Sequence, residues 1–209
     1  GLAQVLFNSL VNFGYPVGSK TPITLIGYSG GGQMSMGAVS FLQQTLDAPI
    51  EVISLAGVIS GNTEVMKVEH LYHLVGEKDN VEKLGSIMFP GRWPILFLSN
   101  WNRAKRRGKI SLISLGPVAH NGPDGPMAAE VLLRDGRSHL QQTVEIITGI
   151  LLKKGETTGL DPKELITLSS NYKRYKAALF NQLNYYPVNQ SINLEYYQPI
   201  GTWIGRLIL

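Results

Sequence analysis

Cysteine is absent from this 209-residue chain, which excludes disulfides and thiolate-bound metals while leaving the compartment open. Histidine is scarce as well. The four residues, at 70, 73, 120 and 139, form no His-x-x-x-His pair, and no metal site is expected. No uninterrupted apolar run approaches the roughly 18 residues of a membrane-spanning helix. Acidic residues are fewer than basic ones, 15 against 19, for a net charge of +4. Part of the excess lies in Arg103-Ala-Lys-Arg-Arg-Gly-Lys109. Contact with an anionic membrane surface or nucleic acid is the functional reading of such a run. No nucleic-acid-binding motif accompanies it, however, and a solvated turn ahead of a strand is the simpler reading. No signal peptide and no internal repeat is visible, and the compartment defaults to the cytoplasm without evidence for it.

Apolar residues are plentiful. At 44% hydrophobic content, 209 residues can fill the core of one domain, with room for an appendage. The most informative segment is Ile23-Thr-Leu-Ile-Gly-Tyr-Ser-Gly-Gly-Gly-Gln33. A short apolar, β-branched run leads into Gly27-Tyr28-Ser29-Gly30-Gly31. Good helix formers follow to Leu46, with apolar positions at Met34, Met36, Val39, Phe41, Leu42 and Leu46. A serine in G-x-S-x-G between a strand and a helix matches a nucleophile elbow, a strained turn that exposes the hydroxyl. Glycines two residues either side of Ser29 are expected to approach closely, where a Cβ would clash. The helix N-terminus beyond the serine offers backbone N–H groups and a dipole suited to a developing oxyanion.

On these residues the chain resembles the α/β-hydrolase family of esterases, lipases and related enzymes. The resemblance implies an α/β fold, a parallel sheet with flanking helices, and a triad in the order Ser, acid, His at successive strand ends. Ile50 to Ser60 reads as a strand buried on both faces. His70-Leu-Tyr-His-Leu-Val-Gly-Glu-Lys-Asp79 then looks like the family's acid-bearing strand end, which places the acid at Asp79. An ordinary helix N-cap is the competing role for Asp79. Lys109-Ile-Ser-Leu-Ile-Ser-Leu-Gly-Pro-Val-Ala-His120 is a third strand followed by a Gly/Pro-rich loop, and His120 is the candidate base. His70 and His73 fall at the start of or within a strand and His139 in a helical pattern, positions that suit structural roles.

The resemblance covers residues 1–154 and matches the second half of that fold. Only a helical stretch from Leu2 to Phe13, apolar at Leu2, Val5, Leu6, Leu10 and Phe13, precedes the elbow strand. The N-terminal strands are expected in a missing part of a longer protein, together with the loop that supplies a second oxyanion donor. The one donor nameable from these residues is the Gly30 N–H, and losing a donor costs on the order of 100- to 1000-fold in rate. The elbow strand would also be left with an unpaired edge.

Between acid and base, Ile87-Met-Phe-Pro-Gly-Arg-Trp-Pro-Ile-Leu-Phe-Leu98 is richly apolar; an acyl-binding wall, a small cap and a core helix all fit it. Met127 to Lys154 reads as helix interrupted near Asp135-Gly136, with Leu140, Val144, Ile147 and Leu151 on one face. Gly155 to Gly159 reads as a linker to an extension, residues 155–209. Asp161-Pro-Lys-Glu164 starts a helix expected to run to about Asn181, and a Tyr-rich tail follows.

The expected function is a serine hydrolase cleaving a carboxylic ester or related acyl compound through an acyl-enzyme. Ser29 is the nucleophile, His120 the base, Asp79 the acid and Gly30 the oxyanion donor, with Gly27, Tyr28 and Gly31 shaping the elbow. This chemistry requires no cofactor, and the expected partner is a small acyl substrate. The alternative is a non-catalytic α/β-hydrolase-like binding or scaffold module.

Overall fold

The apolar runs at Ile23–Tyr28, Ile50–Leu55, His70–Val75 and Ile110–Ser114 become strands β1, β2, β3 and β4 of one sheet, in that spatial order. Every pairing is parallel. Ile23 faces Ile50, Val52 faces Leu71, and Leu71 faces Ile110, so large aliphatic side chains align across one side of the sheet. A parallel arrangement needs a crossover between each pair of strands, and helices supply it. The computed structural model describes residues 1–157 and two short paired strands, β5 (Tyr196–Tyr197) and β6 (Ile204–Gly205). Among the described residues, the four-stranded sheet ends at β1 and β4, and β6 approaches β1. The helix expected from Asp161 and most of the Tyr-rich tail lie outside the described residues.

Helix α1 (Leu2–Asn12) turns Leu6 and Leu10 into the core and leaves Val5 exposed. Helix α2 (Gly30–Leu46) buries Gly32, Ser35, Met36, Val39, Leu42 and Leu46, a stripe at three- and four-residue spacing. It ends where Asp47 adopts the left-handed conformation, two residues before Pro49. Helices α3 (Glu64–Lys67) and α5 (Asn100–Arg106) continue this layer: α1 contacts α2, α2 contacts α3, and α3 contacts α5. Their core with the sheet includes Ile23, Leu42, Ile50, Val52, Leu71 and Trp101. Burying an aliphatic side chain of this size contributes about 1.5–3 kcal/mol. Helix α4 (Asn80–Met88) follows β3.

The described residues fall into two compact units. Gly1–His120 and the β5–β6 pair belong to one, and the second begins at Asn121. In the second, the first part of the helix expected from Met127 fails, while the interruption expected near Asp135-Gly136 and the helix after it are present. Helix α6 starts at His139, and the preceding residues form a tight hairpin closed by a Leu132–Ser138 bridge. Gly136, at φ +83°, makes the turn, and the Arg137 guanidinium holds the Asp135 carboxylate at 2.6 Å. The helix begins at a capping box: Gln141 N–H donates to Ser138 Oγ at 3.1 Å, and Ser138 N–H donates to Gln141 Oε1 at 2.8 Å. At its other end α6 continues through Gly155 to Thr157, so those three residues are helix rather than linker. Gly155 alone was too weak a breaker to stop it.

Candidate active site

The carboxyl ends of parallel strands are where such sheets place ligands. Three loops at those ends bring Ser29, Asp79 and His120 together. Ser29 follows β1, with φ +50° and ψ −118°, a region that costs a side-chain-bearing residue about 1–3 kcal/mol. Its N–H donates to the Leu55 carbonyl at 2.8 Å, and its carbonyl accepts from Gly32 N–H at 3.1 Å. A Cβ built on Gly27 would lie 2.3 Å from the Gly31 carbonyl carbon, so only glycine permits this crossing of strand and helix. Gly31 itself is buried. Gly30 opens α2, where backbone N–H groups lack intrahelical acceptors; a Cβ there would meet nothing within 4 Å.

His120 Nε2 lies 2.9 Å from Ser29 Oγ, and His120 Nδ1 lies 3.0 Å from both Asp79 oxygens. Asp79 is fully buried. Its Oδ1 also accepts from Glu82 N–H at 2.9 Å, capping α4. The two roles weighed for this residue, helix cap and partner of the imidazole, therefore coexist. The loop that carries Asp79 is stitched to the loop that carries His120: Glu77 N–H donates to Gly116 O at 2.8 Å and Lys78 N–H to Val118 O at 3.1 Å. Gly76 allows this, since a Cβ there would meet Val118 O at about 2 Å. That contact supplies the physical reason for the glycine in Gly-x-x-Asp.

Two side chains at the site, Tyr28 and Glu82, make contacts that the sequence did not reveal. Tyr28 was named only as an elbow residue, yet its hydroxyl donates to the His120 carbonyl at 2.5 Å and its ring stacks on the imidazole at 5.8 Å. Burial, reinforced by the Asp79 carboxylate, pushes the Tyr28 phenol above its usual range, so it stays a donor. Glu82 turns inward and meets His73 Nε2 at 3.0 Å and Arg92 Nη2 at 2.8 Å. Burial disfavours its charge, but the hydrogen bonds from His73 and Arg92, with their charges, hold its pKa down to about 2. His73 Nδ1 lies 3.3 Å from Ser54 Oγ, and the Arg92 guanidinium sits 4.5 Å from the centre of the Trp101 ring. The N–H that braces Asp79 thus belongs to a residue whose own side chain is clamped. A glutamate three residues after a capping aspartate was the local signal for it.

His70 bonds Ser111 Oγ at 2.9 Å on its strand neighbour, a structural contact. Among the described residues no group of three His, Asp or Glu side chains converges as a metal site. The Ile87–Leu98 segment is not a core helix. It forms the end of α4, a single 3-10 turn at Pro90–Arg92 and a loop, with most of its apolar side chains exposed. No protein-family model, curated protein or solved structure matches this chain, so its functional reading rests on the geometry of these side chains.

Proposed function

We propose that this chain carries the catalytic half of an α/β-hydrolase-type fold and acts as a serine hydrolase on a carboxylic ester or related acyl compound. The observation that carries this reading is the continuous relay from Ser29 Oγ through His120 to the buried Asp79, at 2.9 and 3.0 Å, with the serine held in a strained turn. A surface serine beside a histidine has no need of either the strain or the buried carboxylate.

In the proposed reaction, Ser29 Oγ attacks the acyl carbon while His120 Nε2 takes its proton. Asp79 fixes the tautomer with Nδ1–H donating and stabilises the imidazolium. The tetrahedral oxyanion forms beside the first turn of α2, where the Gly30 N–H and the helix dipole favour it. Collapse expels the alkoxide, which receives the proton from His120 Nε2–H. Water then attacks the acyl-enzyme, giving its proton to His120, and the second collapse returns that proton to Ser29 Oγ.

A fluorophosphonate probe tests the reading. It should label Ser29 in the wild type and nothing in Ser29→Ala, and the same substitution should lower p-nitrophenyl ester turnover by about 10⁴-fold. A wild type that stays unlabelled while a control hydrolase reacts would instead favour a scaffold built on the same geometry.

A further inference from the structure

Helix α4 buries no large apolar side chain of its own. It buries Glu82 and Gly85 and turns Val81, Leu84, Ile87 and Met88 outward. Val81, Leu84 and Met88 fall at three- and four-residue spacing, a continuous apolar stripe. Gly85 is glycine because Arg92 occupies the space beside it: a Cβ there would lie 2.4 Å from Arg92 Nη1. The Glu82–Arg92 pair therefore occupies the inner face of the helix, and its apolar side chains face out beside the exposed Asn80, Lys83 and Ser86.

The loop after α4 extends this surface. Trp93, Ile95, Leu96, Phe97 and Leu98 are all exposed, Ile95 at 79% and Leu98 at 71%. These residues are held in place rather than displayed by a slack loop. Trp93 Nε1–H donates to Ser86 O at 2.5 Å, tying the loop back to α4. Asn102 Nδ2 donates to the carbonyls of Trp93 and Leu96 at 2.7 and 3.0 Å. Arg106 Nη1 donates to Phe97 O at 2.7 Å. Backbone polarity is thus satisfied from behind while the apolar side chains point away.

Charge completes the pattern. Between Glu82 and Asp124 the sequence has no acidic residue but seven Lys and Arg. Of these, Arg103, Lys105, Arg106 and Arg107 are exposed on or just after α5, the helix that holds the loop. Exposed Trp, Phe and Leu beside clustered cations is the composition of a surface that lies in a lipid interface. We infer that the outer face of α4, the 93–98 loop and the cations of α5 together seat this protein on an anionic lipid surface. The apolar side chains enter the headgroup–acyl boundary and the cations pair with lipid phosphates and carboxylates. Anionic headgroups over an acyl layer meet both features at once, the clustered cations and the four adjacent aliphatic and aromatic side chains of the loop, so lipid is the occupant to which the proposal commits.

Vesicle co-sedimentation of the 209-residue chain tests this with phosphatidylcholine alone and with phosphatidylcholine mixed with phosphatidylserine. Wild type should bind the anionic vesicles about tenfold or more tightly than the neutral ones, and added salt should remove that excess. Lys105→Glu with Arg107→Glu should abolish the preference for anionic vesicles. Ile95→Asp with Phe97→Asp should weaken binding to anionic vesicles about tenfold or more, with an unchanged melting midpoint because both sites are exposed. Ser29→Ala should bind as wild type does, which separates this proposal from the fate of the hydrolase reading. No binding to anionic vesicles overturns the inference, as does binding insensitive to both pairs of substitutions. A soluble dimer dispersed by the Ile95/Phe97 pair, without vesicle binding, assigns the surface to a second copy and also overturns it.

Discussion

Gly27 and Gly30 belong to one short motif, yet alanine should have opposite effects at the two positions. A Cβ at residue 27 would sit 2.3 Å from the Gly31 carbonyl carbon, 2.4 Å from its oxygen and 2.5 Å from Gly32 N. All three are backbone atoms at the start of α2, so no side chain can swing aside. Ordinary contact begins near 3.4 Å, which leaves an overlap of 3.4 − 2.3 = 1.1 Å to be relieved by moving the helix start away from the strand. Overpacking of this kind costs about 1–3 kcal/mol. A shift of about 1 Å in a reacting group can also cost about 100-fold in rate. At Gly30 nothing lies within 4 Å, and the residue opens a helix. Gly30→Ala should therefore leave stability unchanged or raise it by up to about 1 kcal/mol. Urea unfolding followed by circular dichroism measures both effects, with Ser29 labelling as a second readout. A Gly27→Ala protein as stable and as reactive as wild type would refute the close crossing of β1 and α2.

Tyr28→Phe removes one hydrogen bond to the His120 carbonyl. A bond of this type is worth about 0.5–1.5 kcal/mol, so kcat should fall by up to about tenfold with KM little changed; an unaltered kcat would remove Tyr28 from positioning the base. Asp79→Asn keeps a good helix cap but gives His120 the wrong partner, so activity should drop about 10⁴-fold while stability changes by less than about 1 kcal/mol. Asp79→Ala should show the same activity loss with a lower melting midpoint than Asp79→Asn. Glu82 has its pKa lowered from 4.5 to about 2 in the fold. A depressed carboxylate stabilises above its unfolded pKa and loses that contribution as pH falls through the folded value. About 3 kcal/mol should therefore disappear between about pH 4.5 and 2. Denaturant titrations across that range should show the loss, and Glu82→Gln should flatten it; an equal slope in the variant would assign the effect to other carboxylates.

The meeting of Ser29, Asp79 and His120 at one end of the sheet was legible in the sequence because each follows a short apolar strand and is marked by local constraints. Gly27 and Gly76 sit where another backbone passes too close for a Cβ, and such contacts write themselves into nearby residues. The supporting groups carry no comparable mark. Tyr28 meets the carbonyl of a residue 92 positions away, and Arg92 reaches Glu82 and Ile59 O only because α4 and the following turn fold back. Composition left Ile87–Leu98 undecided between wall, cap and core helix, since an apolar run reveals how much surface could be buried but not whether anything buries it. At α6 the break near Asp135-Gly136 marked the start, which Ser138 and Gln141 secure, whereas the apolar residues before the break form no helix. The parallel sheet with its flanking helices was read correctly from run lengths and the helical pattern between them.

Asp79 Oδ1 both terminates the backbone of α4 and faces the imidazole. A related chain without the proposed activity would still need a capping side chain at this position to begin the helix, a need that asparagine or serine also meets. A capping residue at position 79 is thus weak testimony for chemistry, and only the aspartate itself speaks for it. The imidazole at position 120 caps no helix; beyond Ser29 and Asp79 it meets the Tyr28 ring, and its loss would be the earlier sign that the proposed chemistry had gone.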